Sequence, residues 1–344
     1  MRRTPDCCRA VGGSPLRPPE PLDLASADEV AAAFETAHVA GRRLVLATSG
    51  TSSAPRRIVR TTSSWVDSFA AVSRLSGIDA TSRVWVPGPR SATMTLFALV
   101  HAAAVGAQVV ADLAPATHAH LTPARLAALV ASRPADLAGV TVITAGDRLE
   151  RRAHDAATAV GATVHHYFGA AEFSFVAWGS HAEDLRVFPG VEVEVRDGEI
   201  WVRSPFLAQA PAPGEPTAVR MDAAGWRTVG DRGTLVGDHL TVTGRSGAIT
   251  TAGATVLVAD IEHELRAACV GPLVIVGVPH PDLGHVIAAV VTSEADREAA
   301  QARAREALPA THRPRRWVVR ESLPLTPHGK VDRAAVEAAV RMRY

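Results

Sequence analysis

The sequence predicts an α/β chain in two unequal parts: a large N-terminal α/β domain over residues 26–243 and a small α+β domain over residues 244–344. Three observations predict this. Short apolar runs alternate with helix-like stretches up to about residue 186, the pattern of a largely parallel sheet covered by helices. Beyond it the texture turns to alternating strands around strong turn signals. A break at Gly244-Arg245-Ser246-Gly247 is then followed by a fresh series of helices and strands, enough for a compact unit of its own.

Residues 1–25 are rich in Pro, Arg and Gly and read as a poorly ordered arm; Cys7-Cys8 falls inside it with no partner ligands nearby. Ser26 stands where an N-cap belongs, ahead of a helix over Asp28–His38. Arg43–Ala47 reads as a buried strand that opens into a loop of small hydroxyl residues. Further strands are expected at Arg83–Val86, Gln108–Ala111 and Val140–Thr144, with helices at Pro123–Ala131 and Arg151–Val160. Val191–Val195 alternates, Asp197-Gly198 is a hairpin turn signal, and Ile200–Arg203 returns. A second hairpin is expected around Gly225–Thr243. In the small domain, helices are expected at Asp260–Ala268, Ala295–Ala307 and Ala334–Met342, and strands at Leu273–Val278, Val286–Val291 and Arg316–Val319.

A chain of 344 residues at roughly 150 per domain suggests about two domains. With 47% hydrophobic and 21% charged residues it is globular in composition, which excludes wholesale disorder. The net charge of +1 gives no electrostatic case for nucleic acid or an anionic membrane. No apolar run approaches the roughly 20 residues of a membrane span, and no apolar core follows Met1-Arg2-Arg3 as in a secretory signal. Three cysteines (Cys7, Cys8, Cys269) make no disulfide framework and fit a cytoplasmic protein.

One detail of composition bears on chemistry. Of 36 basic residues only Lys330 is lysine, and asparagine is absent. Such a chain uses arginine wherever charge alone matters. A place that keeps lysine is one where a compact, rotatable ammonium is needed rather than a planar fork.

Four stretches could carry a reaction. Thr48-Ser49-Gly50-Thr51-Ser52-Ser53-Ala54-Pro55-Arg56 follows a strand and offers hydroxyls and backbone N–H groups to phosphate oxygens, without the spacing of a P-loop. Tyr167-Phe168-Gly169-Ala170-Ala171-Glu172 places a carboxylate after a small-residue loop, where it suits Mg²⁺ or a helix N-terminus. Gly225-Trp226-Arg227-Thr228-Val229-Gly230-Asp231 ends on an acid that could accept from ribose hydroxyls or close an Asx-turn. Leu323–Arg333 carries the single lysine on a loop. His118-x-His120 has no Cys or carboxylate cluster at metal spacing, so a packing role is expected for it.

Singly, each of these has an ordinary structural explanation. In this order, they resemble the motifs of the adenylate-forming superfamily: acyl-CoA synthetases, aryl-acid ligases, peptide-synthetase adenylation domains and luciferases. Thr48–Arg56 is similar to its phosphate loop, Phe168–Glu172 to its aromatic-Gly-x-Thr-Glu motif, and Gly225–Asp231 to its Gly-Trp-x-x-Thr-Gly-Asp motif. Gly244-Arg245 with Gly253, Val256 and Ile261-Glu262 is similar to the hinge and the start of the mobile small domain. Pro324–Arg333 is similar to its Pro-x-Thr-x-x-Gly-Lys-x-x-Arg motif. The chain has Ala171 and Val229 where the family carries hydroxyls, and it lacks the hinge Asp and Lys (Gly247, Thr250). It is abbreviated at the N-terminal side, like the short o-succinylbenzoate–CoA ligases.

The resemblance implies a truncated adenylate-forming fold and roles for named residues. The loop Thr48–Arg56 would handle ATP phosphates, beside Gly169, Ala170 and Ala171. Glu172 would act on Mg²⁺, Asp231 would hold the ribose, and Arg245 would touch the nucleotide near the hinge. Lys330 would bridge the acyl carboxylate and the α-phosphate. Arg90, His101, His166, Phe168 and Phe173 are expected around the acyl group. The implied reaction is ATP-dependent formation of acyl-AMP from a small carboxylic acid, then transfer to a thiol, coenzyme A first of all. The alternatives are loading of an acyl carrier protein on its phosphopantetheine, and a degenerate member that binds nucleotide or a partner without catalysis. A homodimer is plausible by the same resemblance.

Overall fold

The computed structural model describes residues 26–47, 57–90, 92–211, 219–245, 247–251, 254–280, 284–327 and 329–342. The N-terminal residues with Cys7-Cys8, the segment Thr48–Arg56 expected to handle phosphate, and Ser246, Gly253 and His328 lie outside the described residues.

Helix α1 (Ala27–Val39) starts at Ser26, whose hydroxyl accepts from Glu29 N while the Glu29 carboxylate accepts from Ser26 N, a capping box. Strands β1 (Arg43–Ala47) and β2 (Arg57–Thr61), which flank Thr48–Arg56 in the sequence, pair antiparallel. Then follow α2 (Ser63–Ser76), β3 (Arg83–Trp85), α3 (Thr93–Ala104), β4 (Gln108–Val110), β5 (His118–Leu121), α4 (Pro123–Ser132), β6 (Thr141–Thr144), α5 (Arg151–Ala159) and β7 (Thr163–Ala170). Strands β4-β3-β5-β6-β7 lie side by side in that order, all parallel. In α4 the start is fixed by Thr122, whose Oγ1 accepts from Arg125 N, and by Pro123 in the first turn.

The sheet continues antiparallel. β8 (Ser174–Gly179) runs back along β7, followed by β9 (Arg186–Val187), β10 (Glu192–Arg196), β11 (Glu199–Arg203), β12 (Ala210–Pro211), β13 (Arg220–Met221), β14 (Arg227–Thr228), β15 (Asp231–Val236) and β16 (His239–Arg245). Spatially the order is β8-β9-β16-β15-β11-β14-β13, with β10 also on β11, while β12 joins β2 instead. The β10–β11 turn uses Asp197 and Gly198 at φ +52° and +77°, both left-handed, as a two-residue hairpin of this twist requires. Residues Gly244 and Arg245 thus finish a strand of the large sheet.

The small domain holds β17 (Ala248–Thr251), β18 (Ala254–Leu257), α6 (Val258–Arg266), β19 (Leu273–His280), β20 (Gly284–Val291), α7 (Glu294–Ala307), β21 (Arg316–Val319) and α8 (Arg333–Arg341). Strand β19, at one edge of the sheet beside β20, is buried on both faces. Leu273 and Ile275 pack toward α6 and α7, while Val274, Val276 and Val278 pack toward α8. Each such side chain is worth about 1.5–3 kcal/mol of burial. In the large domain the main core is aromatic: Trp65, Phe97, Phe175, Phe188 and Phe206 form a chain of stacked and edge-on contacts.

Candidate active site

The C-terminal ends of the parallel strands supply one rim. In open α/β sheets that edge leaves backbone groups and loop residues facing a crevice. β5 ends at Leu121 and runs into Thr122, β6 runs into Ala145-Gly146-Asp147, and β7 ends at Ala170, delivering Glu172. The β7–β8 turn is tight. A β-carbon on Gly169 would stand 1.8 Å from the Ser174 carbonyl oxygen, so only glycine fits. Ala170 O accepts from Phe173 N at 3.0 Å, which turns the chain and leaves Glu172 at the edge, only 8% exposed.

The lysine loop of the small domain docks onto this rim. Leu325 and Val331 form a bridge, Thr326 N donates to Lys330 O at 2.7 Å, and Lys330 N donates to Thr326 Oγ1 at 3.2 Å. Gly329, at φ +74°, makes the turn; a β-carbon there would stand 2.8 Å from Thr122 Oγ1. The Lys330 side chain lies along Gly146, its Cε 3.4 Å from where a β-carbon of Gly146 would be. Within this loop Leu325 and Pro327 are exposed, while Gly329 and Lys330 are half-buried.

Behind the loop, α8 begins at Asp332, whose carboxylate accepts from Ala335 N. The next residue, Arg333, donates to both carboxylate oxygens of Glu262 at 2.7 Å. Glu262 is 2% exposed and also accepts from Ile275 N and Arg266. Burial works against the Arg333 charge, but the Glu262 bonds and attraction from Asp147 across the domain boundary outweigh it and raise its pKa.

Asp231 opens β15 opposite Arg245 on β16 and is 7% exposed. Its approach is built by Thr228, fully buried, whose hydroxyl donates to Glu199 and accepts from Gly230 N at 3.0 Å. Val229 points into the aromatic core, which accounts for an apolar residue at that motif position. Arg232 reaches Asp260 of α6 at 3.8 Å, an ion pair between the large sheet and the small domain.

The residues expected around the acyl group are distributed unevenly. Phe168 is half-buried at the end of β7, while Phe173 is a core side chain at 2% exposure. His166 is buried and held by Thr144, its Nδ1 3.1 Å from Oγ1 and 3.2 Å from O; burial pushes it down to about 4. His101 is buried on α3, stacked on Phe97, with Ser73 Oγ 2.9 Å from Nε2, and burial pushes it down to about 4. Arg90 is half-buried after β3; its charge reaches Glu29 of α1, whose pKa is lowered first by its bonds with Ser26 and then by Arg90. His118 and His120 sit on the buried strand β5, and the described residues hold no group of three or more side chains able to ligate a metal. Sequence reasoning missed Gly146, the positive-φ turn after β6, and Arg60, a buried arginine beside Ile58 and Val59 on β2.

With a parallel sheet whose C-terminal edge receives a lysine loop from a small α+β domain, the chain is similar to ligases of the adenylate-forming superfamily. Residues 261–330 match the AMP-binding enzyme C-terminal domain. The uncharacterized acyl–CoA ligase YhfT of Bacillus subtilis is 25% identical over 326 residues, 84% of this chain and 67% of that protein. The 2-succinylbenzoate–CoA ligase of Salmonella typhimurium is 27% identical over 236 residues, 65% of this chain. The chain thus spans about two thirds of one relative's length and 51% of the other's. The structure of ATP-bound MatB from Rhodopseudomonas palustris superposes with a TM-score of 0.74 at 18% identity, covering 88% of this chain and 68% of that one. No helix among the described residues is long and apolar enough to cross a membrane.

Proposed function

We propose that this chain activates a small carboxylic acid with ATP, releasing pyrophosphate and forming acyl-AMP, and then passes the acyl group to a thiol, coenzyme A being the acceptor. The observation that carries this is the seat of Lys330: the chain's single lysine is brought by the small domain to the end of β6, on the same rim as Glu172.

The chemistry explains the arrangement. A carboxylate oxygen attacks the α-phosphorus and the bond to pyrophosphate breaks. Two anions must approach, and an ammonium between them offsets charge that grows in the transition state. Asp231 offers a buried acceptor for ribose hydroxyls. Glu172 is a hard oxygen donor suited to Mg²⁺, an ion that takes one or two carboxylates and substrate phosphates for the rest. Mg²⁺ held there would neutralise phosphate charge. The segment Thr48–Arg56, between β1 and β2, is the proposed phosphate loop, and Arg245 the proposed hinge contact. In the second half the thiolate sulfur attacks the acyl carbon and AMP leaves.

Carboxylate-dependent exchange of labelled pyrophosphate into ATP, run over a panel of acids, tests the first half. Exchange with no acid in a broad panel leaves the nucleotide-binding, non-catalytic reading. AMP release that depends on coenzyme A, set beside release that depends on a phosphopantetheine carrier, decides the acceptor.

A further inference from the structure

We propose that Arg60 is a positioning residue for Glu172: its buried guanidinium clamps the turn that carries the glutamate and thereby sets the Mg²⁺·ATP site. The proposal rests on the ligase reading above.

Arg60 sits on β2, the strand that follows Thr48–Arg56, and is fully buried with its guanidinium 5.4 Å from the centre of the Trp65 ring. A buried guanidinium is costly unless its donors and charge are matched. Its matches all lead to Glu172. One terminal nitrogen donates to Ser174 Oγ at 2.5 Å, and the other to Phe206 O at 3.1 Å. Ser174 Oγ also donates to Phe206 O at 3.1 Å, closing a triangle. Ser174 has φ +62°, a left-handed backbone that a serine adopts only where its surroundings hold it. It stands two residues beyond Glu172, and its carbonyl is the atom packed against Gly169.

The second anchor is Phe206. Two residues on, Ala208 N donates to the Glu172 carbonyl at 2.8 Å, and Gln209 N returns to β2 at Val59 O, 2.9 Å. Glu172 is therefore held from both sides: through its own carbonyl by Ala208, and through Ser174 by Arg60. Electrostatics agree. Burial pushes the Arg60 pKa down to about 9, and Glu172 is the charge that supports the cation. Among the described residues Arg60 Nε has no partner, so the bonds toward Ser174 and Phe206 are what fix the group. A strand needing only an apolar filler would carry Met or Leu here. The cation is retained where β2 meets the metal-binding turn.

The test uses the full chain with Arg60→Met, Arg60→Lys and Ser174→Ala. Binding of ATP, without acid, is measured by calorimetry with and without Mg²⁺, beside thermal unfolding of each variant. Arg60→Met and Ser174→Ala are expected to weaken Mg²⁺-dependent ATP binding by about tenfold, the scale of a lost charge-assisted bond, with ATP binding in EDTA unchanged. Arg60→Lys keeps the charge but not the fork and recovers part of the loss. A role in packing alone lowers the unfolding midpoint and leaves the Mg²⁺ dependence as in the parent; that result overturns the proposal. Should Arg60→Met fail to fold, Ser174→Ala decides by the same reading. A parent whose ATP binding ignores Mg²⁺ sinks the ligase reading and this proposal together, whereas a responsive parent with unaltered variants sinks only the role of Arg60.

Discussion

Lys330 and Gly146 meet across the two domains: the lysine Cε lies 3.4 Å from where a β-carbon of Gly146 would stand, and Gly146 has φ +90°. The glycine does two things at once. It makes the turn that leaves β6, and it gives the lysine stem a bare backbone to lie along.

Gly146→Ala should therefore separate from an ordinary turn mutation. The left-handed backbone alone costs about 1 kcal/mol of stability on gaining a side chain. Gly139, at φ +75° with nothing within 4 Å of its would-be β-carbon, carries the same penalty without the lysine. Both variants should lose similar stability in urea unfolding. Only Gly146→Ala should lose pyrophosphate exchange, by about tenfold, or roughly 1.4 kcal/mol. Equal exchange in the two variants would remove the lysine seat from catalysis.

Lys330→Arg tests the chemistry at the same place. Arginine serves at every other basic position of the chain, so a mere surface charge would tolerate it. Between a carboxylate and an α-phosphate the guanidinium is too wide and its fork is wrongly directed. Acyl-AMP formation should fall at least about a hundredfold, the scale of losing one transition-state donor. Thioester formation from pre-made acyl-AMP and coenzyme A should fall far less. Full exchange activity in Lys330→Arg would return the chain to the non-catalytic reading.

The small domain depends on a pair that does no chemistry. Glu262, 2% exposed, holds Arg333, Arg266 and Ile275 N at once, and Arg333 begins the helix just beyond Lys330. Removing the carboxylate strands two cations and a buried N–H. Glu262→Ala should cost about 3 kcal/mol, the low end for breaking a buried pair because Arg333 stays 38% exposed. The measurement is equilibrium unfolding. A variant as stable as the parent would show that α6 and α8 are held by apolar packing alone.

Much of the fold was legible because local chemistry and tertiary position agree. Ser26 announces α1, Asp197-Gly198 announces its hairpin, and Arg43–Ala47 and Arg316–Val319 are strands at the predicted residues. What escaped had no local signature. Helix α3, Thr93–Ala104, is buried over most of its length, so it shows no polar stripe to give away its period. Strand β5 reads as polar through His118 and His120, yet all four of its residues are buried. At the proposed site, Glu172, Asp231 and Lys330 stand out in the sequence by residue type and motif. Arg60 does not, because its role depends on Ser174 and Phe206, more than a hundred positions away.

The buried histidines set the acid limit of stability. Burial pushes His101 and His166 down to about 4 and His120 to about 3, against an ordinary value near 6.5. All three are neutral in the folded chain at pH 7. On acidification the unfolded chain takes up these protons first, so acid draws the equilibrium toward unfolding. The stability is fully present above about pH 6.5 and is lost as pH falls toward the folded values. Between pH 7 and pH 5 each histidine should withdraw about 2 kcal/mol, a large share of the roughly 5–15 kcal/mol that holds a domain together. The depressed carboxylates, such as Asp296, add nothing in this window, since their protons bind below it. Equilibrium urea unfolding at pH 7, 6 and 5 should therefore show a steep fall in midpoint. His101→Phe keeps the ring against Phe69 and Phe97 and removes one titrating group, so its fall over the same range should be smaller by about 2 kcal/mol. A parent whose midpoint is flat from pH 7 to pH 5 would mean these imidazoles are not held neutral by burial.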